Sequence, residues 1–120
     1  DKERGVLWVG NSWGASFARI DTKTSKVTIV PMPERTMQAY HAAIDGKHRV
    51  WANLWTSDRI VRYDPDLNSW TVFPLPVRGT EIRHISLHEA DGKTFVVMPV
   101  YRTNQMGVLR VRDPKEVASQ

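Results

Sequence analysis

"VLWVGNSWGASFARIDTKTSKVTIVPMP" (Val6 to Pro33) lies over "RVWANLWTSDRIVRYDPDLNSWTVFPLP" (Arg49 to Pro76) without a gap, at a constant offset of 43 residues. Trp8 falls on Trp51, Arg19 on Arg62, Asp21 on Asp64 and Thr28 on Thr71. Pro31 and Pro33 fall on Pro74 and Pro76, and the same offset carries His41 onto His84. A third copy, "DGKTFVVMPVYRTNQMGVLRVRDP", follows a register slip of about three residues at Glu89-Ala90-Asp91. There Val97 takes the tryptophan position, and Arg110 and Asp113-Pro114 echo Arg62 and Asp64-Pro65. Self-similarity at a fixed period marks a repeat architecture.

Within one copy, "YHAAID", "RVWANL", "RIVRYD" and "SWTVFPLP" read as four short strands rich in β-branched and aromatic residues. Asp45-Gly46 suits a positive-φ hairpin between the first two. In "DPDLNS" the proline presets a turn and the aspartate can bond amides ahead of it. Prolines close the fourth strand, because they cannot donate to a further ladder. Four strands repeating at roughly 40–45 residues are the signature of β-propeller blades. The fold class is therefore all-β. Residues 5–38 supply strands two to four of one blade, 39–81 a full blade, 82–114 strands one to three of a last blade, and 115–120 a tail. That is about two and a half blades, whereas a closed ring takes about four to eight. The expected partners are the remaining blades, from the same or another chain. An ending after a third strand is expected of the C-terminal part of such a ring.

The 120 residues suit one small domain. Lys plus Arg number 17 against 13 Asp plus Glu, and the basic residues are scattered, which argues against a nucleic-acid partner. Without cysteine there is neither a disulfide framework nor a thiolate zinc site. No apolar run reaches membrane-spanning length, so no membrane insertion is expected, and "DKERGVLWVG" lacks a signal-peptide layout.

The first strand of each blade lines the central channel, so His41 and His84 are expected to be neighbours across adjacent blades. Alternation puts His84, Ser86 and His88 on one face of their strand, and Arg83, Ile85 and Leu87 on the other. Glu81, Arg83 and Tyr40 are placed at the channel mouth, where a small-molecule ligand could enter. Trp13 and Trp55 sit beside loops that could flank that ligand. A histidine pair there suits proton transfer. Metal ligation would need a third ligand, and Glu81 is the near candidate. The alternative is that the repeat position merely favours a polar residue bonded to backbone. Trp8 and Trp51 are expected to pack between blades, and Arg19, Arg62 and Arg110 to pack or pair across them. His48 and His88 belong to turn or outer positions.

The pattern Gly-Lys-x-x-Val-Trp (46–51), Arg-Ile-Val-Arg-Tyr-Asp-Pro (59–65) and Trp-Thr-x-Phe-Pro-Leu-Pro (70–76) resembles blades of the virginiamycin B lyase (streptogramin lyase) family. The likeness runs from Gly5 to about Pro114. It implies a seven-bladed propeller that opens a cyclic depsipeptide by elimination at the ester. It also implies a magnesium ion held with help from a glutamate, histidines on neighbouring inner strands, and a periplasmic or secreted location. His41 and His84 match that placement. The family's glutamate position is occupied by Asn11, Leu54 and Val100, which leaves Glu81 as the candidate carboxylate for a metal. The resemblance implies a lyase or lactonase acting on an ester or lactone. The alternative function is a non-catalytic propeller that binds a ligand or protein through its loops.

Overall fold

The computed structural model describes residues 1–112 and 114–118. Three antiparallel sheets follow one another along the chain. The first contains β1 (Val6–Asn11), β2 (Ser16–Asp21) and β3 (Val27–Pro31). The second contains β4 (Ala39–Ile44), β5 (Val50–Leu54), β6 (Arg59–Asp64) and β7 (Ser69–Pro74). The third contains β8 (Ser86–Ala90), β9 (Lys93–Val100) and β10 (Gln105–Arg110). A short helix, α1 (Pro114–Ala118), occupies most of the expected tail. Asp113, part of the expected third-copy echo, lies outside the described residues, as do Ser119 and Gln120. Each sheet is a meander whose neighbours in sequence are neighbours in space, as in a propeller blade.

The sheets stack face to face, and two apolar clusters fill the gaps between them. Trp8, Phe17, Met37, Val61 and Tyr63 join the first sheet to the second. Trp51, Ile60, Ile85, Val96 and Met98 join the second to the third. All five residues of β5 are buried, because the middle blade is covered on both faces. This is why "VWANL" reads as a continuous apolar run broken by one asparagine. Trp8 and Trp51 pack between blades, as expected: Trp8 meets Tyr63 of the second sheet at 5.8 Å between ring centroids, and Trp51, stacked on Phe73 of its own sheet at 5.3 Å, lies in the cluster with Val96 and Met98 of the third. The outward faces remain apolar. Leu7, Val9, Val27 and Ile29 are exposed on one end of the stack, Met106 and Val108 on the other.

Turn chemistry repeats with the blades. Asp21 Oδ1 accepts from the amides of Lys23 and Thr24, and Asp64 Oδ1 accepts from those of Asp66 and Leu67. Ser25 and Asn68, one repeat apart, both hold positive φ at the close of these turns.

Three expectations are corrected. Asp45-Gly46 does not form a tight positive-φ turn. The β4–β5 connection takes five residues, 45–49, and its left-handed residue is His48 at φ 61°. The buried Asp45 carboxylate organises it, accepting from the amides of Lys47 and Arg49, from Arg49 Nε at 2.7 Å and from Trp51 Nε1 at 2.8 Å. In the third blade the equivalent hairpin has only Asp91 and Gly92, both at positive φ. The strands beside it run further: seven residues separate the paired Ala43 and Trp51, ten separate their counterparts Ser86 and Val97, and these three added residues are the slip seen in the sequence.

The second correction concerns Arg110. Trp51 pairs with Arg62, but Val97, its counterpart, pairs with Val108. Arg110 therefore corresponds to Asp64 and lies outside the Arg19 and Arg62 series; it faces Phe95 and bonds Glu116.

Third, the inner strand of the last blade begins at Ser86, so His84 precedes it and does not share a strand face with Ser86 and His88. Asp58 explains the delay: its carboxylate accepts from the amides of Gly79 and Thr80 and from Thr80 Oγ1, and Glu81 follows at φ 44°. The chain is held in a loop and joins the sheet late.

Candidate functional site

The β5–β6 loop (55–58), the β9–β10 loop (101–104) and the approach segments 38–41 and 79–85 gather at one end of the stack. Their closeness follows from the pairing of Ala39 with Leu54 and from the ring contact of Tyr40 with Trp55, 5.6 Å between centroids. At this end the rings of His41 and His84 lie 4.0 Å apart between centroids, with 36° between their planes. The two blades each contribute one.

A bulge shapes the first half of the pair. The β4–β5 register shifts between Ala39 and Ala42, which frees the His41 amide from the ladder. That amide donates instead to Asn53 Oδ1 at 3.1 Å. The fully buried Asn53 then donates through Nδ2 to the carbonyl oxygen of Ile82, two residues before His84. One side chain thus ties both histidine-bearing segments together. Sequence reasoning missed Asn53, although a lone polar residue in "VWANL" was the available signal.

The two imidazoles differ. His84 is exposed, while His41 is half-buried, and its Nδ1 is shut away from solvent without a hydrogen-bond partner. Burial lowers the His41 pKa below its ordinary value, and the neighbouring His84 lowers it further. Both effects disfavour the charged form. His41 is therefore a neutral imidazole at neutral pH, with a nitrogen that has no internal partner.

The other expected site residues divide into pairs. The Arg83 guanidinium sits over the Tyr101 ring at 4.7 Å, a cation–π contact. The Glu81 carboxylate accepts from Arg102 Nε at 2.9 Å. Trp55 and Glu81 line one cleft of about 330 Å³ with Thr56, Asp58, Gly79 and Arg102. Trp13 stands 88% exposed in the β1–β2 loop and makes no ring contact among the described residues. His48 and His88 lie elsewhere, His48 bonded to Asp1 through Nδ1 at 2.9 Å and His88 beside Phe95.

Glu81, the candidate metal ligand, is engaged with Arg102, and the described residues contain no group of three or more His, Asp or Glu able to hold a cation. A magnesium ion prefers about six oxygens in near-octahedral array, and the described residues do not gather a set that fits it.

Among solved structures, virginiamycin B lyase from Staphylococcus aureus superposes with a TM-score of 0.67 over 92% of this chain, at 13% identity. The fold is that of a streptogramin lyase propeller. A second streptogramin B lyase structure gives a TM-score of 0.68 at 16% identity. A catalytically inactive form of the S. aureus lyase with quinupristin gives 0.67 at 17%. The chain spans 39% of the length of each of these lyases. The extracellular domain of BT4673 from B. thetaiotaomicron also matches, with a TM-score of 0.55 over 97% of this chain and 17% of that one. No protein-family model and no curated protein matches the chain. At such identities the likeness to the lyase propellers is one of architecture.

Proposed function

We propose that this chain forms part of a propeller enzyme, a lyase or lactonase acting on an ester or lactone, with His41 and His84 as its proton-transfer pair. The observation that carries this reading is the 4.0 Å pairing of an exposed imidazole with a half-buried, unpartnered one. A base must be unprotonated to work, and the environment of His41 keeps it so. In an elimination, His41 takes the proton from the carbon β to the ester oxygen. The released electron pair forms a carbon–carbon double bond, the carbon–oxygen bond breaks, and a carboxylate leaves. His84, at the solvent edge, relays the proton outward. In lactone hydrolysis the same base would take a proton from the attacking water. Tyr40, Trp55 and Arg83 shape the ligand's entrance beside the pair. Magnesium, implied by the lyase resemblance, would need ligands beyond the described residues. Further blades, from the same or another chain, would complete the ring, in a periplasmic or secreted setting.

The test is turnover of an ester and lactone panel, including a streptogramin B, by the full-length protein. His41→Ala and His84→Ala should each reduce the rate by about 10²-fold or more, the scale of positioned acid–base catalysis. Absence of turnover, or variants as active as the parent, would overturn the reading. The exposure of Trp13 supports a second reading, a binding propeller without catalysis. In that case Trp13→Ala and Trp55→Ala would weaken ligand binding in a protein that turns nothing over.

A further inference from the structure

A different cleft, of about 540 Å³, opens between the middle and last blades at the end remote from the histidines. The β4–β5 connection, the β8–β9 hairpin and the β6–β7 face line it. Its wall carries five cations, Lys47, Arg49, Arg62, Lys93 and Arg112, against two carboxylates, Asp91 and Glu116. Arg49 is bound to Asp45 at 2.7 Å and Lys93 lies 3.8 Å from Glu116. Lys47 and Arg62 also line it, and among the described residues neither forms an ion pair with a carboxylate.

Arg62 is held in place without being neutralised. Its Nη2 donates to Thr71 Oγ1 at 3.1 Å, and its guanidinium carbon lies 5.4 Å from the Trp51 ring centroid and 5.6 Å from that of Phe73. Burial and then the charge of Arg49 lower its pKa, as expected of a cation placed among cations. A guanidinium stacked on aromatic rings keeps further N–H donors for a planar or tetrahedral oxyanion.

The repeat supplies an internal comparison. The cleft between the first and middle blades is lined by Arg4, Arg19, His48 and Asp66, and is about 170 Å³. There Arg4, the counterpart of Lys47, bonds Asp66 at 2.7 and 2.9 Å. His48 fills the hairpin side and bonds Asp1 at 2.9 Å. In the larger cleft the hairpin turns on Asp91 and Gly92 alone. The β9–β10 register, continued two residues, puts Arg112 at the counterpart of Asp66. At that place one cleft carries a carboxylate and the other a cation; the larger cleft's carboxylates are Asp91 and Glu116, the latter held by Lys93 and Arg110.

We propose that the larger cleft binds a small oxyanion, the phosphate, sulfate or carboxylate group of a ligand, with Arg62 and Lys47 as its principal contacts. The measurement is calorimetric titration of the full-length protein with inorganic phosphate, sulfate and acetate at low ionic strength, against chloride. Saturable binding of at least one oxyanion is expected. Arg62→Gln should weaken it at least tenfold, and Lys47→Gln severalfold. Arg19→Gln, in the smaller cleft, should leave it unchanged. Because Arg62 packs on Trp51, circular dichroism accompanies each variant, and the exposed Lys47 decides the matter if Arg62→Gln unfolds. Heats that do not saturate, a Lys47 variant that binds like the parent, or equal losses in the Arg19 and Arg62 variants would overturn the proposal.

Discussion

His41 and His84 are 43 positions apart in the chain and 4.0 Å apart between ring centroids. Two imidazoles so close cannot both carry a proton without mutual repulsion, and His41 is the more buried of the two. In an NMR titration His41 should therefore titrate below the ordinary histidine value of about 6.5. In His84→Ala its pKa should rise only part of the way back, because burial is the larger cause. The linkage has a definite sign. A histidine whose pKa is depressed in the folded state contributes stability above the unfolded value, lost as pH falls toward the folded one. Unfolding free energy should decline on acidification from neutrality, and His41→Gln should flatten that decline.

Asn53→Ala should destabilise the protein by about 1–3 kcal/mol, since it leaves the His41 amide and the Ile82 carbonyl without their partner. Urea unfolding measures the loss. If the catalytic reading holds, turnover should fall as well, because the substitution loosens both segments that carry the pair. An Asn53→Ala protein as stable as the parent would show that the bridge carries little.

Trp51→Ala should cost about 3–5 kcal/mol, the range for emptying a large buried aromatic site. The loss also removes the Nε1 donor from the buried Asp45 carboxylate. Trp13→Ala, at an 88% exposed position, should change stability by less than about 0.5 kcal/mol. Denaturant curves of the two variants separate a packing tryptophan from a surface one.

Residues 1–120 expressed alone should self-associate through the apolar ends of the stack, where Ile29 and Val108 are 58% and 64% exposed. Sedimentation velocity should show association that Ile29→Lys and Val108→Lys reduce. The same substitutions in a complete ring should lower its thermal stability, if neighbouring blades cover those positions. A monodisperse monomer of the unsubstituted piece would contradict this.

Much of the blade architecture was legible because copying preserved what packing demands: Trp8 and Trp51 fill equivalent gaps, and Asp21 and Asp64 hold equivalent turns. The pairing of the histidines was legible for the same reason. What escaped were features set by single side chains acting at a distance. Asp58 holds Thr80 and so delays the last inner strand, and nothing in the local pattern around His84 announces that anchor. Glu81 looked like a free carboxylate because Arg102, its partner, arrives from a loop 21 residues later. Arg110 was misaligned because a matching letter outweighed the strand register, which only the pairing of Val97 with Val108 reveals. Asn53 was read as part of a core strand, which it is, while its amide does the bridging.

The three added residues of the β8–β9 hairpin lie at the rim farthest from His41 and His84. The change follows His84 in the chain, so the 43-residue spacing of the two inner histidines is untouched by it. The two ends of the molecule can thus be remodelled independently: a designer could graft new loops beyond Ile44 or Ala90 without disturbing the geometry at the opposite opening.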